Sequence, residues 1–279
     1  MKTKLKRTLS QVLIFLSANL GPLGVKTGFC YPFFYCNSCP ASTSACPLRS
    51  LEVGVFQNSF KWKLILFPLL IIGFFGILTG RAICGWACPI GLLQRATGPV
   101  ARKLKKVPVI KKIGTMLLPI EPKLRYIKYL MLIGLVFFTT ALIGFMFTNL
   151  CPIGFLTGTI PTLLLYPTEF VFNSVFFYPA LVIFILFLIL IFIVERGWCR
   201  YFCPLGALFA PFNKISMLQV ARVEEDIFQK KCLHCNACTN VCPMGIDVTK
   251  MNRDPECILC GKCVEACPKN IIKFERVKP

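Results

Sequence analysis

Four stretches of this 279-residue sequence, 8–25, 64–80, 129–147 and 170–194, contain no Asp, Glu, Lys, Arg or His. Ionisable groups inside a bilayer mark proton and ion paths, so their absence argues against a pump. Acidic residues are scarce as well, 12 against 32 Lys and Arg, and histidine occurs once. The resulting net charge of +20 raises the question of nucleic acid. The basic residues, however, fall between apolar runs rather than on a patterned polar domain, which fits topology signals and no nucleic-acid partner. No small-x-small cleavage site follows the basic opening MKTKLKR, so the first apolar run is taken as a helix rather than a signal peptide.

What is abundant is apolar. Hydrophobic residues make up 56% of the chain and mean hydropathy is +0.67, which places it among membrane proteins. A helix needs about 20 apolar residues to cross the hydrocarbon. The last two runs satisfy this easily, and the second does with its Lys61-Trp62-Lys63 flank. The first is the weakest, with Ser10, Gln11, Ser17, Asn19 and a Gly21-Pro22 break. Lys and Arg number four at the N-terminal tip, eleven over 81–128 and thirteen from 195 onward, against four over 26–63 and none over 149–177. Four spans with both termini cytoplasmic put the three basic segments on one side. The expected fold is therefore a membrane all-α four-helix bundle over 1–220, made of two repeated helix pairs. A small α+β domain follows at 221–279. The run RKLKKVPVIKK from Arg102 is expected at the lipid of the inner leaflet, and the many Phe residues against lipid.

The seventeen cysteines fall into three groups. In the tail, CLHCNACTNVCP from Cys232 and CILCGKCVEACP from Cys257 are both C-x2-C-x2-C-x3-C-P. This is the bacterial two-cluster ferredoxin run, in which three closely spaced thiolates wrap one [4Fe–4S] cube and the fourth reaches the other. Resemblance to that family implies Cys232, Cys235, Cys238 and Cys267 on one cluster. It implies Cys257, Cys260, Cys263 and Cys242 on the second. Zinc knuckles or disulfides are the alternatives, disfavoured by the doubled register and a cytoplasmic setting. Gly245 and Gly261 give such loops backbone freedom. His234 lies between two of these cysteines and is expected to be solvated rather than a ligand.

The second group is Cys84 and Cys88 with Cys199 and Cys203, in the phrases ICGWACPIG and WCRYFCPLG. Each pair follows an apolar run directly. If the two halves share an axis, four sulfurs converge at the inner rim of the bundle, suited to an iron–sulfur cluster or to copper(I); four unrelated buried thiols are the alternative. The third group is Cys30, Cys36, Cys39, Cys46 and Cys151, all outer in this topology. Cys46-Pro and Cys151-Pro are 105 residues apart and Cys88-Pro and Cys203-Pro 115 apart, an internal duplication. An outer centre on Cys36, Cys39, Cys46 and Cys151 is one expectation and disulfides are the other, with Cys30 left over. Arg81, Arg196 and Arg200 are placed to stabilise cluster charge or to set topology.

These phrases, together with the paired cluster runs, resemble the NapH-type membrane ferredoxins, whose relatives include the NosR and CcoG proteins. The likeness covers roughly 60–279. It implies a polytopic inner-membrane protein carrying two cytoplasmic [4Fe–4S] clusters and passing electrons between a cytoplasmic or quinone donor and a partner redox enzyme. A quinol-dehydrogenase-like subunit of a larger complex is the leading expectation; a CcoG-like copper reductase serving metallocentre assembly, or a redox sensor, are the others. Any quinone chemistry would draw on rim carboxylates such as Glu52, Glu169 or Glu195. The outer cysteines fall outside the family pattern, and no Cys-x-x-Cys-His haem phrase is present.

Overall fold

A computed structural model describes residues 2–36, 38–56, 61–104, 107–108, 121–165, 175–222, 231–251 and 253–276. Glu169 and most of the basic run after Arg102 lie outside them. The described chain is mostly helical: α1 Lys2–Ala18, α2 Pro47–Val55, α3 Trp62–Thr79, α4 Ala82–Trp86 and α5 Pro89–Leu104. Then come α6 Glu121–Leu142, α7 Pro152–Leu165 and α8 Phe177–Ile193, with α9 Gly197–Tyr201 and α10 Pro204–Phe209. A cap follows, with strand β1 Leu218–Arg222, α11 Ala237–Asn240, α12 Lys262–Ala266 and strand β2 Ile272–Arg276. The strands pair antiparallel, Leu218 opposite Arg276 and Arg222 opposite Ile272.

Among the described residues two helices, α3 and α6, are long and apolar enough to cross a membrane, with mean hydropathies of 2.1 and 1.4. α7 and α8 are apolar but shorter. α8 buries Ala180, Phe184, Phe187 and Ile191 on one face while Val182, Ile185, Leu186 and Ile189 stand exposed on the other. A helix apolar all round suits an apolar solvent. The expected runs shift at their ends. The first helix stops at Ala18, because Gly21-Pro22 turns the chain and Gly24 is left-handed (φ 77°). The third extends back to Glu121 and ends at Leu142, before left-handed Gly144 (φ 73°).

The duplication is visible in the elements. α3 and α4 begin at Trp62 and Ala82, and α8 and α9 begin 115 residues later at Phe177 and Gly197. α2 and α7 begin 105 apart at Pro47 and Pro152. The Cys-Pro phrases at Cys46, Cys88, Cys151 and Cys203 each start a helix, with proline at the first helical position, where its missing N–H costs nothing.

Candidate iron–sulfur centres

The Cys-Pro phrase is a thiol version of a helix N-cap, in which the side chain accepts orphan N–H groups of the first turn. Cys203 Sγ accepts from Gly206 N at 3.3 Å. At Cys46, Cys88 and Cys151 the amides two and three residues on act only as a favourable influence that partly offsets the rise burial gives each thiol. Helix starts favour thiolate over thiol. Four of the predicted ligands thus stand at the start of a helix, and Cys203 caps its own.

The structure brings Cys84, Cys88, Cys199 and Cys203 together between α4, α5, α9 and α10. Burial pushes Cys88 up to about 12, and the Cys84 and Cys199 sulfurs add to the effect. Cys203 is raised by burial, then by Cys199, Cys84 and Cys88. Gln94 Nε2 donates to Cys199 Sγ at 3.2 Å. The two repeats exchange arginines over this site. Arg196 donates to Cys84 O at 3.1 Å and to Gly91 O at 3.3 Å. A Cβ on Gly206, the counterpart of Gly91, would stand 3.1 Å from Arg81 Nη2. The glycine of each Cys-Pro-(Ile/Leu)-Gly phrase leaves room for the arginine of the other repeat.

Arg81 is fully buried, yet its Nε and Nη2 groups have no hydrogen-bond partner. Burial would lower its affinity for the proton, but Glu256, Cys84 and Cys199 outweigh that and raise it. Buried guanidinium donors beside four thiols fit an anionic cluster, which would satisfy them. Sequence reading missed Gln94 and Arg7. Gln94 carries no motif, and Arg7 is hidden among the charges of the N-terminal tip.

The cap holds the other eight cysteines in two hollows of similar size. Cys232, Cys235, Cys238 and Cys267 line one. Cys242, Cys257, Cys260 and Cys263 line the second. The backbone repeats with a 25-residue offset. His234 and Leu259 are left-handed (φ 47° and 46°), as are Asn236 and Gly261 (53° and 72°) and Gly245 and Asn270 (62° and 52°). Alternation of right- and left-handed residues turns successive amides inward, the concavity that suits anionic clusters. His234 thus has a conformational role, histidine being among the side chains that tolerate this region.

The second hollow sits mainly on the first repeat, with one tie to Asn213 just after α10 of the second. Trp86 Nε1 donates to Leu259 O at 2.9 Å, Arg7 Nη1 to Cys260 O at 3.0 Å, and Asn213 Nδ2 to Cys257 O at 2.6 Å. A Cβ on Gly85 would collide with Ile258 O. Glu256, next to Cys257, ties Arg81 at 3.0 Å and also pairs with Lys128.

At the far end of the helices, Cys36, Cys39, Cys46 and Cys151 gather. Burial raises Cys151, and neighbouring Cys46 and Cys36 raise it further; Cys36 is likewise raised by burial and then by Cys39. Cβ atoms on Gly154 and Gly158, one turn apart on α7, would lie 3.6 and 3.3 Å from Cys36 Sγ. Cys30 stands apart, its sulfur 3.4 Å from Ser50 Oγ. None of the seventeen cysteines is disulfide-bonded in the structure. Among the described residues no three His, Cys, Asp or Glu are grouped to hold a single metal ion. A cube takes a wider set, each thiolate binding a different corner.

Of the rim carboxylates, Glu52 is buried and accepts from Thr148 N at 3.2 Å and from the Thr148 hydroxyl. Glu195 pairs with Arg102 and Lys262.

Comparison with known proteins gives the same picture. A family described as a 4Fe-4S binding domain matches residues 60–108 and 176–222, one segment for each copy of the inner phrase. A 4Fe-4S dicluster domain matches 210–278. An uncharacterized protein of Methanocaldococcus jannaschii is 32% identical over 252 residues, 89% of this chain and 86% of that protein. The methylamine utilization ferredoxin-type protein MauN of Methylobacillus flagellatus is 27% identical over 71% of this chain and 60% of its own length. The ferredoxin-type protein NapH of Escherichia coli is 26% identical over 63% and 52%. The chain therefore spans little more than half the length of these two named relatives. No solved structure matches. The two family matches, the near full-length relative and the named ones agree, and the chain belongs to the NapH-type polyferredoxin family of iron–sulfur electron-transport proteins.

Proposed function

We propose that the protein is a four-span membrane electron carrier with both termini cytoplasmic. In it, Cys232, Cys235, Cys238 and Cys267 hold one [4Fe–4S] cluster and Cys242, Cys257, Cys260 and Cys263 a second. Cys84, Cys88, Cys199 and Cys203 hold a third centre at the inner rim, and Cys36, Cys39, Cys46 and Cys151 a fourth at the outer rim. When bound, such clusters supply one-electron transfer at potentials set by nearby charge and hydrogen bonds. The observation that carries this reading is the seating of the Cys257–Cys263 loop on Gly85 and Trp86, inside the first inner phrase. It supports a path in which the cap sets, the inner set and the outer set would follow one another.

The protein's own residues have separable tasks. Arg81 and Arg196 place positive charge beside the inner thiols, which favours the reduced form of an anionic centre. The Trp86 and Arg7 bonds to carbonyls of the cap loop fix its distance from that site. The apolar surfaces of α3, α6 and α8 keep water out. Electrons would pass between a cytoplasmic or quinone donor and a partner redox subunit.

Iron counting with EPR on purified protein tests this. About sixteen irons per chain are expected, and the double change Cys84→Ser, Cys199→Ser should remove one centre while leaving the cap pair; an unchanged count sinks the inner site. Thiol labelling of intact cells should reach Cys36 and miss Cys232, and the reverse pattern overturns the orientation.

A further inference from the structure

Where α1, α5 and α12 meet, a recess of about 350 Å³ opens beside Cys260. It is lined by five cations, Lys4, Arg7, Arg95, Arg102 and Lys262, and by one carboxylate, Glu265. The only other carboxylate engaged with these cations among the described residues is Glu195, 2.8 Å from Arg102 and 2.7 Å from Lys262. Arg7 spends its guanidinium on backbone carbonyls, Gly85 O and Cys260 O, so its charge is directed but not neutralised. Arg95 donates Nη2 to Thr8 Oγ1 at 2.8 Å, while its buried Nη1 has no partner. Burial, then the charge of Arg196, hold Arg95 below the usual arginine value. Positive charge in excess, with an orphaned guanidinium N–H, calls for an oxyanion that accepts charge-assisted bonds.

The surface beside the recess indicates its source. Lys4 and Thr8, one turn apart on α1, line the recess. One position on, Leu5, Leu9, Leu13 and Leu16 form an exposed stripe, 71, 58, 56 and 55% accessible. The stripe begins at the cations and runs away from the cap along the helix. A headgroup in the recess would have an apolar track for its chains.

We propose that this recess is a phosphate-ester site, filled by the headgroup of an anionic phospholipid whose acyl chains lie along the leucines of α1. The inference rests on the membrane topology proposed above. Basic pockets between helices at a cytoplasmic rim take such headgroups. Because the site adjoins the Cys260 loop, an occupied recess would brace α1 against the cap and set negative charge near the membrane-proximal hollow.

The test titrates detergent-purified, iron-loaded full chain with dihexanoyl phosphatidylglycerol, glycerol phosphate and inorganic phosphate, read by calorimetry and native mass spectrometry. One saturable lipid per chain is expected, at least about tenfold tighter than glycerol phosphate. The double change Lys4→Gln, Arg95→Gln should weaken it roughly tenfold or more, the loss of charge-assisted bonds, while Lys250→Gln on the cap should not. Glycerol phosphate binding as tightly as the lipid retains the phosphate site but overturns the lipid as its source. No saturable binding, or binding unmoved by the double change, overturns the proposal. Iron content and EPR on the same samples report the electron-carrier reading separately, since neither substituted residue is a thiolate.

Discussion

Arg81 and Arg196 occupy the same place in the two repeats, yet they carry different loads. Arg196 crosses to the first repeat and ends on two carbonyls, Cys84 O and Gly91 O. Arg81 crosses to the second repeat and also leaves the bundle for the cap, bonding Pro255 O at 2.9 Å and Glu256 at 3.0 Å. Gly85 and its counterpart Arg200 differ in the same way. The glycine admits the cap backbone, while Arg200 pairs with Glu121 beside Gly245. Duplication builds a symmetric thiol site, and small substitutions in one copy let a single asymmetric cap dock on it.

The sharpest break of this comparison is to remove each arginine in turn. Arg81→Leu strips Glu256 of one of its two cations in a buried setting, where breaking a pair costs about 3–5 kcal/mol. Arg196→Leu leaves two carbonyls without donors and no stranded charge, so the cost should be about 1–3 kcal/mol. Limited proteolysis of the cap linkage and thermal unfolding in detergent would rank the two. Equal losses would mean that Glu256 does not depend on Arg81. Either change should also lower the potential of the inner centre, because a cation stabilises its more negative, reduced form.

A second counterpart pair separates the far ends of the repeats. Glu52 on α2 corresponds to Thr157 on α7, five residues after each Cys-Pro proline. Burial raises the Glu52 carboxyl to about 7, despite opposing bonds from Thr148. Because its folded value lies above its unfolded one, the folded chain binds the proton more tightly. The associated stability is complete below the ordinary carboxylate value of about 4.3 and is lost as pH rises through 7. The change should not exceed about 4 kcal/mol. Thermal stability from pH 5 to 8 should therefore decline in the native protein and flatten in Glu52→Gln. A Glu52→Gln profile that declines as steeply would place the titrating group elsewhere.

Much of this was legible in the sequence because covalent spacing carries it. The C-x2-C-x2-C-x3-C-P runs line two hollows of the cap, and the Cys-Pro offsets of 105 and 115 reappear as equal helix starts. Helix ends were less legible: proline and left-handed glycine at Pro22, Gly24 and Gly144 set the limits, while hydropathy spreads past them. The partners of the thiols were not legible at all. Gln94 to Cys199 and Arg7 to Cys260 span 105 and 253 residues, and nothing local to either side chain announces such contacts. The role of His234 is similar, since composition shows a lone histidine but not its backbone region.

The smallest effect tests the cap's own repeat. Asn236 and Gly261 share a left-handed backbone in corresponding loops, so conformation alone would treat them alike. Their surroundings differ, because a Cβ on Gly261 would stand 2.8 Å from the Phe274 ring and 3.3 Å from Thr3 Cγ2. Asn236→Gly relieves a mildly unfavourable region in the folded state but frees the unfolded chain, and the two nearly cancel, within about 0.5 kcal/mol. Gly261→Ala adds both a Cβ in the left-handed region and a contact that moves Phe274 or α1, and should cost about 1–2 kcal/mol. Hydrogen exchange in β2 and at the start of α1 reads the difference: the Ala variant should loosen both, and the Gly variant neither. Were Gly261→Ala as mild as Asn236→Gly, the packing of α1 on the Cys257–Cys263 loop would be looser than these contacts require, and the first repeat would lose its distinct hold on the cap.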